Sequence, residues 1–179
     1  MVPSQHINLV SFGIPEKGML DKIAKSVGKA FNRPVILKEA RLELGSFFDG
    51  QRRQYNADLL LQMVEERYAS DQHKTIGLFQ VDLFIPILTY IFGQAYLNGQ
   101  TAVASGYRLG NERYGILKTT DQLSDRFAKE IIHELGHAFG LVHCYTTSCV
   151  MQASTYVEDI DLKKAEFCAK CKAKINTVG

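Results

Sequence analysis

The chain has 179 residues, 46% of them hydrophobic, which is enough to bury one sizeable core and favours a single domain. Its 21 Lys and Arg against 19 Asp and Glu give a net charge of +2, which does not indicate a nucleic-acid or membrane partner. No apolar run reaches the roughly 18 residues of a membrane-spanning helix, and residues 1–12 lack the pattern of a signal peptide. We therefore expect a soluble, cytoplasmic, monomeric protein.

In chain order, the first half of the sequence predicts strands and helices from the spacing of its apolar residues. A strand at 6–12 ends in turn signals at Gly13 and Pro15, and a helix with one buried face follows at 16–31. The next elements are a strand at 34–38, a polar loop at 45–54, and a helix at 57–68 capped by Asn56. Arg52 and Arg53 in the loop are predicted to lie in solvent, with a substrate contact as the alternative.

The middle of the chain predicts the rest of a sheet. Residues 76–84 are rich in β-branched and aromatic side chains and predict a strand. Residues 90–96 and 101–107 predict a hairpin around Asn98 and Gly99. Five candidate strands separated by helices indicate an α+β fold, in which a mixed sheet is covered by helices.

The last third of the chain predicts two helices. Caps near Thr120 and apolar residues at helical spacing up to Ala138 predict a long helix, which Gly140 ends through a left-handed turn. Asp161 is predicted to cap a final helix whose buried face includes two cysteines.

A metal-binding motif occupies residues 133–143, which read His-Glu-Leu-Gly-His-Ala-Phe-Gly-Leu-Val-His. His133 and His137 lie one helical turn apart and can bind one zinc ion at about 2.0–2.1 Å, with His143 as third ligand and a fourth position open for water. Glu134 can accept a proton from the zinc-bound water, and the resulting hydroxide attacks a carbonyl. The first five residues alone could arise by chance on an exposed helix, but the whole pattern favours a zinc hydrolase of peptides or amides.

The four cysteines form two pairs with the spacing of a structural zinc site. Cys144 and Cys149 are five positions apart, and Cys168 and Cys171 are three apart. Such a closed site would fold a segment that has little apolar sequence of its own. A Cys168–Cys171 redox pair and, for an exported protein, two disulfides are the alternatives. Because His143 precedes Cys144 directly, loss of the second zinc is expected to displace His143.

Met151 lies eight residues after His143, where an apolar turn could pass beneath the three-histidine metal. A methionine is otherwise a common filler of a protein core. Beside a complete histidine motif, we interpret it as the floor of the metal site.

These residues resemble the metzincin signature, which is an extended histidine motif followed by a methionine turn. More narrowly, the pattern His-Glu-x-x-His-x-x-Gly-x-x-His-Cys, followed by x4-Cys-x-Met and a later Cys-x-x-Cys, is similar to that of the archaemetzincin family. The resemblance covers residues 133–171. It implies a metzincin-type mixed five-stranded sheet with an active-site helix in an N-terminal subdomain (1–140), and a small C-terminal subdomain (141–179) that zinc stabilises.

The resemblance also implies the ligands of two zinc ions. They are His133, His137 and His143 for a catalytic zinc, and Cys144, Cys149, Cys168 and Cys171 for a structural zinc, with Glu134 as base. Some metzincins use a tyrosine two residues after the methionine as a further ligand, but Ala153 occupies that position and Tyr156 does not inherit the role. We expect an extended peptide to bind along an edge strand within 90–99, and 152–157 to wall a side-chain pocket.

The leading hypothesis from the sequence is a zinc metallopeptidase acting on a peptide or protein substrate, and aminopeptidase action is compatible with it. The alternative is a catalytically weak, zinc-bearing peptide-binding protein of the same fold. A nucleic-acid-binding module built on the cysteines is disfavoured by the balanced charge.

Overall fold

The fold is described by a computed structural model that covers residues 6–14, 16–115, 117 and 119–178. Its strands are β1 (His6–Phe12), β2 (Val35–Ala40), β3 (Phe48–Asp49), β4 (Gln54–Asn56), β5 (His73–Phe79), β6 (Leu83–Phe84), β7 (Gly93–Ala95) and β8 (Thr101–Ser105). Its helices are α1 (Lys17–Phe31), α2 (Ala57–Tyr68), α3 (Thr120–Ala138), α4 (Val157–Asp161) and α5 (Ala169–Val178), with 3-10 turns at Leu44–Phe47 and Asn111–Tyr114. Residues 1–5 and Pro15, on which the signal-peptide and turn predictions partly fall, lie outside the described residues.

The main sheet has five strands in the order β2-β1-β5-β8-β7. Strand β1 pairs in parallel with β2 and β5, β5 pairs in parallel with β8, and β7 runs antiparallel to β8 as the edge strand. The central strands are buried almost throughout because both faces of the sheet are covered, so their residues do not alternate between apolar and polar. A smaller sheet has the order β3-β4-β6. The predicted α+β fold with a mixed five-stranded sheet is confirmed.

Helices cover both faces of the main sheet. Helices α1 and α3 pack on one face, against side chains such as Leu9 and Leu78. Helix α2 packs on the other face, against Val10 and Phe79. Successive strand residues point to opposite faces, so each central strand contributes to both cores. Helix α3 also contacts β7 and β8, which places the histidine motif beside the free edge of the sheet.

Several elements agree closely with the sequence prediction. Helix α2 has the predicted bounds, and the Asn56 side chain accepts hydrogen bonds from the N–H groups of Asp58 and Leu59 as a helix cap does. Helix α1 begins one residue later than expected, and β7 and β8 form the predicted hairpin.

The single strand predicted at 76–84 is wrong, because these residues belong to two sheets. Strand β5 ends at Phe79, and the N–H and C=O of Val81 bond to the side-chain hydroxyl of Ser105 instead of to the backbone of a neighbouring strand. The chain then turns, and β6 pairs with β4 of the smaller sheet. Hydrogen bonds to distant residues thus interrupt the strand, although the local sequence favours β structure throughout.

The polar connection at 45–54 contains β3 and the start of β4, and only one of its two arginines is exposed. Arg53 lies in solvent as predicted. The prediction for Arg52 is wrong: its side chain is half-buried, donates a hydrogen bond to the Leu88 carbonyl at 2.7 Å and stacks 4.2 Å above the Phe84 ring. It therefore anchors the loop after β6.

The final helix also differs from the prediction. Asp161 is the last residue of the short helix α4, and α5 begins at Ala169, directly after Cys168. The Asp161 carboxylate accepts two hydrogen bonds from the Arg126 guanidinium, at 2.7 and 2.6 Å, so it links α4 to α3 instead of capping α5. The ion pair with Arg126 thus determines the position of Asp161, although aspartate is a preferred helix-capping residue.

Among the described residues, no helix combines the length and the apolarity needed to cross a bilayer.

Candidate metal centres and cleft

Helix α3 brings two histidines together on one side. His133 and His137 are four residues apart, and their Nε2 atoms lie 3.1 Å from each other. Two nitrogens bound tetrahedrally to one zinc ion would be separated by about 3.4 Å, so this spacing suits a shared metal. The Nδ1 atoms lie 2.9 Å from the Val150 carbonyl and 2.7 Å from the Leu141 carbonyl. A proton on Nδ1 leaves Nε2 free to bind a metal.

His143 reaches the same place from beyond the helix. Gly140 has a φ of 87°, and this left-handed residue reverses the chain after Phe139. The ring of His143 lies 5.3 Å from that of His133, and one nitrogen from each of the three histidines lies within 4.8 Å of the others. Burial lowers the pKa of all three imidazoles, most strongly at His133, which favours the neutral form that binds metals.

The end of α3 is also fastened to the hairpin. The Asn98 N–H donates to the His137 carbonyl at 2.9 Å, and the Gly140 N–H donates to the same oxygen. The turn between β7 and β8 is thus held by backbone atoms to the residue that carries the second histidine ring.

A buried pair of carboxyl groups, which can hydrogen-bond only when one of them is protonated, lies beside the histidines. Glu134 and Glu130, one helical turn apart, are both almost fully buried and hydrogen-bonded to each other. Burial, and next the negative charge of Glu130, raises the pKa of Glu134 well above its ordinary value. A Cβ atom at Gly93 would lie 2.6 Å from the Glu134 Cγ, so only glycine lets β7 approach the carboxylate this closely.

Lys163 is the buried cation that faces this pair. Its ammonium donates to the carbonyls of Val150 and Gln152, at 3.3 and 2.5 Å. Burial lowers the pKa of Lys163, and the charges of Glu130 and Glu134 oppose that shift. Sequence reasoning missed both Glu130 and Lys163. A charged residue on the buried face of the motif helix could have indicated Glu130, but nothing in the sequence distinguishes Lys163 from Lys164.

Met151 lies beneath the histidines as predicted. It is fully buried, and a Cβ atom added to Gly136 would collide with its sulfur. Gly136 lies on α3 between the two histidines, so the methionine packs on the helix directly under the histidine cluster. Its neighbour Val150 provides the carbonyl to which His133 bonds.

The four cysteines gather in a second cluster. One Sγ from each of Cys144, Cys149, Cys168 and Cys171 lies within 4.8 Å of the others. The Cys144–Cys168 and Cys149–Cys171 sulfur pairs are 3.8 and 3.9 Å apart, close to the roughly 3.8 Å between thiolates bound tetrahedrally to zinc. All four are free thiols, and these distances do not suit disulfides. The donor set fits a closed four-thiolate zinc site.

The two clusters share backbone. His143 and Cys144 are adjacent, and the Cys144 N–H donates to the Met151 carbonyl at 2.9 Å. The segment that supplies the third histidine is therefore bounded by the cysteine cluster on one side and by the methionine turn on the other.

The histidines lie at the bottom of a cleft of about 710 Å³. One wall is formed by residues 85–97, which include β7, and the other by residues 142–143 and 153–156. The predicted edge (90–99) and the predicted pocket wall (152–157) thus face each other across the histidines. About half of the lining side chains are aliphatic or aromatic, and the charged and imidazole groups lie at the bottom of the cleft, so the walls suit an extended peptide with uncharged side chains.

Hydrolases of the metzincin type hold their metal on a helix of this kind above a buried methionine, and the fold and the site place the chain in that class. The family model for peptidase family M54 matches residues 18–177. The chain belongs to this family, the archaemetzincins, and is a zinc metallopeptidase.

Known relatives agree with this assignment. The archaemetzincin of Methanocaldococcus jannaschii is 32% identical over 179 residues, which cover 100% of this chain and 97% of that protein. The archaemetzincin of Sulfolobus acidocaldarius is 41% identical over 132 residues, 72% of each chain. The crystal structure of Methanopyrus kandleri archaemetzincin superposes with a TM-score of 0.85 at 30% identity, covering 98% of this chain and 96% of that one. A zinc-dependent peptidase from Methanocorpusculum labreanum gives a TM-score of 0.82 at 27% identity, with 95% and 100% coverage.

Proposed function

We propose that the chain hydrolyses peptide bonds in the histidine cleft, with His133, His137 and His143 as ligands of a catalytic zinc and Glu134 as general base. The observation that carries this proposal is the buried Glu134 carboxyl group, which lines the same cleft as the three histidines and packs against Gly93 of β7. A base at that place can reach a water molecule positioned between the histidines and a bound peptide.

Each residue has a separate task in this reaction. Zinc held by the three imidazoles would act as a Lewis acid on the water and on the scissile carbonyl. In its ionised form, which the positive charge of Lys163 favours, Glu134 takes the proton from the attacking water and passes it to the leaving amine. Glu130 and Lys163 position Glu134 and the Val150 carbonyl, and the carbonyls of Val150 and Leu141 orient the rings of His133 and His137.

We further propose a structural zinc on Cys144, Cys149, Cys168 and Cys171, which gives two zinc ions per chain. This ion would stabilise the segment 141–179 as a small C-terminal subdomain beside an N-terminal subdomain at 1–140, within one catalytic domain. The close packing of four free thiols supports this reading, and reduced thiols fit a cytoplasmic protein. Size-exclusion chromatography with light scattering tests the expected monomer, and metal analysis tests the count of zinc ions.

The proposed activity is tested with zinc-loaded protein and a broad peptide library that includes short peptides with free N-termini. The Glu134→Gln variant is expected to bind zinc normally and to lose about 10²–10⁴-fold in kcat, because it lacks the base. Glu43→Gln, an exposed glutamate outside the cleft, is the matched control and should keep full activity. An intact library together with identical behaviour of wild type and Glu134→Gln would refute catalysis, and tight peptide binding in that case would favour a binding protein.

A further inference from the structure

The edge of β7 offers only a short stretch of backbone to a peptide. The Phe92 carbonyl accepts from Ser105 N–H at 2.8 Å and the Tyr96 N–H donates to Thr101, so residues 92, 94 and 96 direct their polar groups to β8. By the alternation of an antiparallel ladder, Gly93 and Ala95 direct theirs to the open side. Since Gly93 lies against Glu134, a peptide paired with Gly93 passes directly beside the proposed base.

The smaller sheet occupies this edge on the N-terminal side of β7. Ile91 is the next residue in the alternation, and its N–H donates to the Leu83 carbonyl at 3.0 Å in an antiparallel bridge. A peptide strand that pairs with Gly93 therefore finds β6 in its path at Ile91 and has to end or leave the edge there.

A side chain closes the cleft at the same end. The Tyr90 hydroxyl donates to the Thr155 carbonyl at 2.8 Å, across 65 positions of the sequence and from one wall to the other. A peptide strand paired with β7 would lie about 4.8 Å from that strand. It would therefore occupy the space between the two cleft walls that the Tyr90–Thr155 hydrogen bond crosses. We call the Tyr90–Thr155 contact the bridge.

Both ends of the bridge are held by further contacts. The Arg108 guanidinium stacks 4.2 Å above the Tyr90 ring and is itself fixed by two hydrogen bonds to Asp82, at 2.5 and 2.6 Å. On the other wall, the Thr155 N–H donates to the Asp159 carboxylate at 2.8 Å. Burial also raises the pKa of the Tyr90 hydroxyl, which keeps it a proton donor. The bridge therefore belongs to a network of stacking and hydrogen-bond contacts that fixes both of its ends.

We propose, on the basis of the peptidase function above, that the bridge and β6 close one end of the cleft and restrict cleavage to bonds near one terminus of the substrate. Ile91 and Tyr90 are two and three residues from Gly93, about 7 and 10 Å in an extended chain, so about two to three substrate residues fit between the base and the closed end. Leu97 and Val142, at the opposite end, are exposed on the two walls, and the rest of the substrate leaves there.

The test uses one core peptide in four forms: short, extended at its N-terminus, extended at its C-terminus, and extended at both ends. For the wild type, kcat/KM should be similar for the short form and one singly extended form, and at least about tenfold lower for the other two. Tyr90→Ala opens the bridge and should bring the four values to within about threefold of each other, with Tyr90→Phe intermediate. Tyr107→Phe is the matched control, because that tyrosine also carries a stacked arginine, Arg113 at 4.6 Å, but lies outside the cleft.

Equal kcat/KM values for all four forms, or ratios that Tyr90→Ala leaves unchanged, would overturn the proposal. Failure of the peptidase function itself has another signature, because then no form is cleaved and Glu134→Gln changes nothing. In that case, the four peptides carry a fluorophore and their affinity for zinc-loaded Glu134→Gln is measured by anisotropy. Weaker binding of the doubly extended form, relieved by a second Tyr90→Ala substitution, supports the bridge, and equal binding of all forms refutes it.

Discussion

Replacement of Lys163 by methionine is predicted to destabilise the fold and the floor of the metal site together. The ammonium donates two hydrogen bonds to backbone carbonyls and faces the Glu130–Glu134 pair. A hydrogen bond from a charged group contributes about 1.5–3 kcal/mol, and removing one partner from a buried charge cluster leaves the other charges uncompensated. Release of the buried ammonium offsets part of the loss, so we expect a net decrease of about 2–4 kcal/mol in the free energy of unfolding.

For a chain of this size, that loss corresponds to a Tm lower by about 4–16 °C. The assay is urea and thermal unfolding of zinc-loaded protein, followed by circular dichroism, with zinc content measured beforehand. Lys164→Met is the matched control: the neighbouring side chain is exposed, and its replacement should change stability by no more than about 0.5 kcal/mol. Equal stability of the two variants would refute the assigned role of the Lys163 ammonium.

Three further outcomes are expected. Cys168→Ser should lose the structural zinc and, through the shared backbone, part of the catalytic zinc and activity; normal activity with full catalytic zinc would contradict this coupling. Gly93→Ala should lower kcat about 10²-fold while zinc content is retained, because the new Cβ displaces Glu134 or β7; Gly45→Ala, where a Cβ meets nothing within 4 Å, is the control. The pKa of Asp159 is lowered first by the N–H of Tyr156, so its ionised form stabilises the fold at neutral pH and that contribution is lost as pH falls below about 5. Asp159→Asn should therefore show a smaller loss of stability than wild type as the pH falls from about 5 through the lowered pKa of Asp159. Parallel acid profiles of the two proteins would contradict this.

The sequence predicts the histidine cluster well because helix geometry leaves little freedom. Residues four apart on α3 must lie one turn apart, and Gly140 permits the turn that returns His143. The cysteine spacing likewise predicts two chelating pairs, although their convergence depends on how α5 packs. These parts depend on local geometry, which a sequence pattern encodes.

The rest of the site depends on contacts between distant segments. Lys163 becomes a buried cation only because the chain after α4 passes under Val150, and its neighbour Lys164 remains exposed. Asp161 has the local signature of a helix cap but pairs with Arg126, 35 residues away. The contact of Tyr90 with Thr155 depends on the relative placement of the hairpin and the segment after the methionine. No local pattern predicts these contacts.

The hydrogen bond from Asn98 to the His137 carbonyl has a consequence for how sequences of this family can diverge or be redesigned. Both partners are backbone groups, so the distance between the hairpin and the active-site helix does not depend on a hydrogen bond from the Asn98 side chain. Proline is excluded, because it has no N–H and its fixed φ of about −65° conflicts with the φ of 54° at this residue. The turn between β7 and β8 can therefore be replaced by another sequence to change specificity, and the histidines should keep their positions as long as residue 98 remains asparagine or glycine.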